Sequence, residues 1–176
     1  NIIKPKGTRD YYGIEQSKLD FTADVLLGVA ERYGFSKITL PTFESTELFK
    51  RVVGETTDVV NKEMYTFEDK KGRLLSLKPE GTASAVRLAL ENNLIDLNKE
   101  QKLVYLERMF RYERPQKGRQ REFMQFGLEW FNNPGIESDV QTIQIAYDII
   151  KSMGIEKVEL QINTIGTAAE REVYKQ

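Results

Sequence analysis

The chain has 176 residues, 40% hydrophobic and 30% charged, and its 26 Lys+Arg against 27 Asp+Glu leave a net charge of −1; this describes one soluble globular domain with a sizeable core, and not a polyanion binder that is basic throughout. It contains neither Cys nor His, which excludes disulfides, thiol nucleophiles, Ser-His-Asp triads and the usual zinc sites, so no protein-held metal is expected. No stretch approaches the ~20 apolar residues of a membrane span, the N-terminal "NIIKPKGTRD" has no apolar signal region, and the lack of Cys fits a cytoplasmic location without contact with a membrane.

Residues 14–33 read as a helix, with Leu19, Leu26, Val29 and Tyr33 at helical spacing and Gly34 as its stop. "FSKITLPTF" alternates through Ile38 and Leu40 into Pro41 and reads as one strand ended by proline, as on a sheet edge. Residues 44–62 are polar and mixed, which predicts loop with short helical turns. "EMYTFEDKKGRLLSLKP" reads as a hairpin about the turn "DKKG". "GTASAVRLALENN" is a helix beginning just after Glu80, with Val86, Ala89 and Leu90 on one face. "KLVYLERMFRYER" and "REFMQFGLEWFNN" are two more strands. "ESDVQTIQIAYDIIKSMG" is a helix with a Ser138/Gln141 capping box, a Val140, Ile143, Tyr147, Ile150 stripe and Gly154 as its stop. "EKVELQIN" is a last strand with Val158, Leu160 and Ile162 on one face. "GTAAEREVYKQ" starts a further helix with a Thr167/Glu170 capping box, so the chain reads as cut within a longer sequence. The order predicts an α+β fold, an antiparallel sheet flanked by helices rather than a βαβ repeat. There is no GxGxxG and no GxxxxGK[ST], so no dinucleotide or P-loop site is supported.

Positive charge is concentrated in one place. Arg111, Arg114, Lys117, Arg119 and Arg121 lie within "RYERPQKGRQREF", the connection between the two long strands. Side chains alternate along a strand. Met109, Arg111 and Glu113 therefore share a face, as do Phe123, Gln125, Gly127, Glu129 and Phe131 on the return strand. The alternate residues Met124, Phe126, Leu128 and Trp130 are all apolar and form the core side. The polar face is either a solvated surface or a ligand platform. Phe123 wastes apolar area if it faces water, Gly127 in mid-strand signals a close approach to the backbone, and Gln125 and Glu129 are poor strand formers. Arg111 can fork onto a phosphate, Phe123 can stack on a base, and Glu113 can accept from an exocyclic amine. Glu129 and Gln125 can hold a cationic or donor-rich small molecule, while Lys117 and Arg119 on the turn reach outer phosphates. The combination points to ATP beside an amino compound. Glu80, ahead of a helix N-terminus, serves as a helix cap or as a binding carboxylate, and Thr82 has the same two readings.

At these residues the chain resembles the catalytic core of the class II aminoacyl-tRNA synthetases, and among them the histidyl-tRNA synthetase family. "KGTRD", "TLPTFESTELFKR" with "GETTDVVNKEMYTFED", "LKPEGTA" and "MFRYERPQKGRQREFMQFGLE" carry the resemblance, from about Lys6 to about Thr164. "RPQKGR" followed by "REFMQ" is similar to motif 2, "PEGTA" to the amino-acid loop, and the long helix, strand and Pro41 to motif 1, which builds a homodimer interface.

The resemblance implies that Arg111 contacts the α-phosphate as the catalytic residue, Glu113 meets the adenine amino group, Phe123 stacks on adenine and Arg119 holds the γ-phosphate. It implies that Glu80, Thr82 and Gln125 bind the α-amino group of histidine and that Glu129 faces its imidazole. The reaction implied uses ATP and Mg²⁺ to form histidyl-adenylate and then esterifies the 3′ end of tRNA(His). Residues 1–176 would be the N-terminal part of the catalytic domain, with motifs 1 and 2. Family members continue with an insertion, a glycine-rich segment bearing a second arginine, motif 3 and an anticodon-binding domain, so the chain alone is expected to be inactive or nearly so. "DYYGIE" departs from the family pattern by lacking a leucine-proline pair. The same fold also serves a non-catalytic paralogue, the regulatory subunit of ATP phosphoribosyltransferase, and synthetase-like domains of larger regulatory proteins that sense uncharged tRNA. A dimerisation scaffold with a merely solvated basic turn is the remaining alternative.

Overall fold

The computed structural model describes residues 2–54, 57–95, 99–163 and 166. Helix α1 (Ile14–Arg32) leads to β1 (Ser36–Lys37), β2 (Phe43–Ser45), α2 (Thr46–Val53), a single π-helical turn (Val59–Glu63), β3 (Thr66–Glu68) and β4 (Leu74–Leu77). Then follow α3 (Thr82–Glu91), β5 (Gln101–Phe110), β6 (Glu122–Phe131) and α4 (Ile136–Ser152). Among the described residues no helix is long and apolar enough to cross a membrane.

The strands form two three-stranded sheets, β1-β5-β6 and β2-β4-β3. The architecture is α+β as expected, but it is not one wholly antiparallel sheet: the two residues of β1 run parallel to β5, with Ser36 opposite Leu103 and Lys37 opposite Val104. "FSKITLPTF" is correspondingly not one strand. It leaves the first sheet after Ile38, whose N–H donates to the Val104 carbonyl, passes Pro41, and enters the second sheet at Phe43. Proline has no N–H to give a ladder, so it marks the switch between sheets rather than an outer edge.

The long hairpin is the middle layer. Its ladder pairs Met109 with Phe123, Tyr105 with Gly127 and Leu103 with Glu129. On one side Val104 joins Val29, Ala30 and Phe35 at the end of α1 and Ile145 and Ile149 of α4, with Phe126, Leu128 and Trp130 packed against them. This is the apolar face read from the alternation. On the other side Tyr105 and Met109 pack with Leu40 and with Ala85 of α3, and Phe123 joins them. The platform face is thus partly roofed by α3.

The helix stops at Gly34 and Gly154 form as expected. Gly34 has φ +82°, Phe35 N–H reaches the Ala30 carbonyl and Gly34 N–H the Glu31 carbonyl; the two crossed bonds close the helix in a Schellman motif. In the β3–β4 hairpin, Asp69 accepts from the backbone N–H of Lys71 and Arg73 and from the Arg73 side chain. These bonds, chiefly those of Arg73, hold its carboxyl below the usual range.

Other expectations are corrected. Where loop with short helical turns was expected, residues 46–53 form a regular eight-residue helix, α2; Phe49 is wholly buried there, and that burial supplies the stability its polar sequence conceals. In α3 the buried residues are Ala83, Ser84, Ala85 and Ala89, while Leu90 is exposed, because small residues let the helix approach Tyr105 and Met109. The α4 stripe is likewise turned outward: Val140 and Tyr147 are exposed, and Ile145 and Ile149 face the sheet. Its capping box does not form. The helix starts earlier, after Gly135, and Ser138 Oγ donates to the Asn133 and Gly135 carbonyls while Gln141 accepts from Lys102 Nζ. Residues 156–163 have no strand pairing, and Val158, Leu160 and Ile162 are exposed; a strand needs a neighbouring edge, and none lies beside this segment among the described residues. The Thr167/Glu170 box lies outside the described residues.

Candidate functional site

The connection between β5 and β6 continues their pairing for one more step, with Arg111 N–H on the Arg121 carbonyl, and its tip closes where Gln116 and Arg119 exchange backbone bonds around Gly118. Gly118 has φ +81°, a conformation that favours glycine. Arg111 Nε donates to the Pro79 carbonyl at 2.8 Å, which ties the hairpin to the turn ahead of α3. Its guanidinium carbon lies 5.3 Å from the Phe123 ring centroid. Glu113 sits between two cations, 3.9 Å from Arg111 and 3.7 Å from Arg119. These four residues, with Gly118 and Met124, line a cleft of about 400 Å³. The structure therefore brings together Arg111, Glu113, Arg119 and Phe123. Met124, expected on the core side, is among the residues that line this cleft.

Arg121 serves the scaffold. Its N–H donates to the Gly7 carbonyl, its Nε to the Glu113 carbonyl at 3.1 Å, and its guanidinium covers the Tyr112 ring at 4.0 Å. A Cβ on Gly7 would lie 2.7 Å from Arg121 Cγ, which explains the glycine of "KGTRD". The N-terminal segment is strapped across the base of the basic turn.

The second group lies deeper along the same face. Glu80 accepts from Thr82 N–H at 2.7 Å and Ala83 N–H at 2.9 Å, so it caps α3. Gln125 Oε1 accepts from Gly81 N–H at 2.9 Å. Each of these oxygens keeps a second lone pair, so capping and cation binding are compatible uses of one carboxylate. Glu129 is half-buried, and burial pushes its carboxyl up, with Glu80 adding repulsion; the Thr82 and Tyr105 hydroxyls act in the opposite sense.

Tyr105 was not among the predicted site residues. Its ring lies over both Gly81 and Gly127, and its hydroxyl is 3.3 Å from Glu129 Oε1. A Cβ on Gly127 would come 2.1 Å from Tyr105 Cζ. The close approach signalled by Gly127 is thus a neighbouring side chain and not a ligand. The clue in the sequence was the pairing of a glycine with a directly opposite aromatic, which needs the register to be known. Gly127→Ala is expected to destabilise the fold by about 1–3 kcal/mol through overpacking. Tyr105→Leu in the same chain should recover part of that loss in urea denaturation; purely additive losses would show that the two sites do not meet.

Comparison with known proteins gives the family. The family model described as histidyl-tRNA synthetase matches residues 7–170. A histidine--tRNA ligase of Lactococcus lactis subsp. cremoris (strain MG1363) is 48% identical over 179 residues, covering 99% of this chain and 41% of that protein. One from Aquifex aeolicus is 44% identical over 176 residues, covering 100% of this chain and 44% of that protein. The chain spans about 40% of the length of such relatives. The crystal structure of apo Staphylococcus aureus histidyl-tRNA synthetase superposes with a TM-score of 0.80 at 32% identity, over 99% of this chain and 40% of that one. An ATP phosphoribosyltransferase regulatory subunit/histidyl-tRNA synthetase from Bacillus halodurans C, at TM-score 0.74 and 23% identity over 88% of this chain and 39% of that one, shares the fold. With the match running through the hairpin, the basic turn and the glutamate ahead of α3, this chain belongs to the histidyl-tRNA synthetase family.

Proposed function

We propose that the chain is the ATP- and histidine-binding part of a cytoplasmic histidine–tRNA ligase. The observation that carries the reading is that Arg111, Glu113 and Phe123 meet at one cleft while Glu80, Thr82, Gln125 and Glu129 gather deeper on the same hairpin face. In this reading Arg111 and Arg119 take the α- and γ-phosphates, Phe123 stacks on adenine and Glu113 accepts its amino group. On binding, the triphosphate replaces Glu113 as the partner of both guanidiniums. Glu80, Thr82 and Gln125 take the α-ammonium with their remaining lone pairs, and Glu129 accepts from an imidazole N–H.

The histidine carboxylate then attacks the α-phosphorus and expels pyrophosphate. No side chain acts as nucleophile. Catalysis is placement of the two reactants together with cation stabilisation of the charge on the five-coordinate phosphorus, where Arg111 stands. The adenylate passes its acyl group to the 3′-terminal adenosine of tRNA(His). Mg²⁺ belongs to the substrate, as Mg·ATP. Among the described residues no group of three or more Asp or Glu side chains is placed to hold a metal ion, and Glu113 faces two guanidiniums. A homodimer through the motif 1 region, α1 to β2, belongs to the same proposal.

Histidine-dependent ATP–pyrophosphate exchange tests it. The chain by itself is expected to exchange little or not at all, yet to bind ATP and histidine in calorimetry. Failure to bind either ligand would overturn the proposal. The regulatory-subunit reading shares the fold, but it gives no use to "RYERPQKGRQREF" or "PEGT", and it predicts no adenylate at any protein length.

A further inference from the structure

Tyr105 is 2% exposed and lies on β5 directly opposite Gly127 of β6. Glycine faces its ring on two sides: a Cβ on Gly81 would lie 2.3 Å from the ring and one on Gly127 2.1 Å. A ring this tightly confined has one position, which puts its hydroxyl 3.3 Å from Glu129 Oε1 and beside the Thr82 side chain. Packing alone would be served equally by phenylalanine. The hydroxyl costs desolvation in this setting, which burial repays only if the O–H has an acceptor.

We propose that Tyr105 is a positioning residue for substrate recognition: locked between Gly81 and Gly127, it donates a hydrogen bond to Glu129 and holds that carboxylate, in its charged form, toward the open face of the hairpin. The inference deepens the reading of Glu129 as the imidazole acceptor and rests on it. Among the described residues three groups act on Glu129: Tyr105 on β5, Thr82 at the start of α3 and Glu80 in the turn before it. Burial and Glu80 favour the protonated acid, while the two hydroxyls favour the carboxylate. Burial also keeps the Tyr105 phenol neutral far above physiological pH, so it is a permanent donor. A protonated Glu129 would offer an imidazole N–H only a neutral carbonyl oxygen, without the charge assistance that makes the contact strong.

The sign follows. Glu129 takes up a proton more readily in the fold than in an unfolded chain, so it is charged above its raised pKa and its charge-assisted acceptor role is lost as pH falls through it. Removing the Tyr105 hydroxyl takes away one group that opposes protonation. Histidine affinity must then fail at a higher pH than in the parent.

The experiment uses the 176-residue chain, its Tyr105→Phe variant and free histidine. The Glu129 carboxyl carbon is followed by NMR across pH, its resonance assigned by its disappearance in Glu129→Gln. Histidine affinity is measured at each pH, and the ratio of variant to parent cancels the titration of the ligand itself. The expected result is a midpoint displaced to higher pH in Tyr105→Phe, with a loss of affinity of about 3-fold at pH 8 that grows to about 10-fold or more on acidification. Coincident midpoints with a loss independent of pH would make Tyr105 a packing residue only and overturn the inference. A displaced midpoint in a chain to which histidine does not bind would leave the Tyr105–Glu129 coupling standing and overturn the function assigned to Glu129.

Discussion

Arg111→Ala is expected to weaken ATP binding by about 10- to 100-fold, because a forked guanidinium on a phosphate makes charge-assisted bonds of roughly 1.5–3 kcal/mol. Arg111 is prepared for that task. Its Nε is held by the Pro79 carbonyl at 2.8 Å, its plane lies against Phe123, and Glu113 stands near Nη1. The side chain is therefore ordered before the nucleotide arrives, which lowers the entropic cost of binding. Arg111→Lys should recover little, because an ammonium keeps the charge but not the fork. Calorimetric titration of ATP into the parent and both variants checks this, with thermal unfolding as the control for loss of the Pro79 contact. An intact Arg111→Ala variant with parental ATP affinity would favour the scaffold reading.

Lys78→Ala should cost about 3–5 kcal/mol of stability, a large share of the roughly 5–15 kcal/mol available to a domain. Lys78 is 1% exposed. Its Nζ is 3.2 Å from Glu107 and 3.2 Å from the Leu40 carbonyl. Its backbone N–H donates to Thr42 and its carbonyl accepts from Phe110. One residue thus joins the end of β4 to the long hairpin and to the crossover between sheets. Alanine would leave the mostly buried Glu107 carboxylate without its cation and the Leu40 carbonyl without its donor. Replacing both partners, Lys78→Met with Glu107→Leu, should recover most of the loss, since an apolar pair of similar volume pays no desolvation. Urea denaturation of the single and double variants decides it. A loss below about 1 kcal/mol in Lys78→Ala would show that the pair does not hold the sheets together.

The sequence made the site legible because a strand has period two. Arg111, Glu113, Phe123, Gln125 and Glu129 could be placed on one side of the hairpin from alternation alone; β6 forms within two residues of its predicted span, while β5 ends at Phe110, four residues before the predicted Arg114. Lys78 was passed over, because a lysine in a polar stretch carries no mark of burial until its neighbours are known. Tyr105 was passed over because its alternating position is ordinary; only the register that sets it opposite Gly127, and the approach of Gly81 from α3, give it a role. The α4 stripe shows the opposite failure. Val140 and Tyr147 sit at helical spacing, yet both are exposed, since periodicity identifies an apolar face but not what it meets.

Local chemistry thus determined the helices α1, α3 and α4, their glycine stops at Gly34 and Gly154, both hairpins and the residue types of the cleft at the basic turn. These depend on φ preferences, turn residues and side-chain alternation, which act over a few neighbouring residues. The tertiary structure alone decided the crossing of residues 36–45 between two sheets, the helix at Thr46–Val53, the buried Lys78–Glu107 pair and the Tyr105 contact with Glu129. Each depends on groups brought together from distant parts of the chain, where burial and register outweigh local propensity.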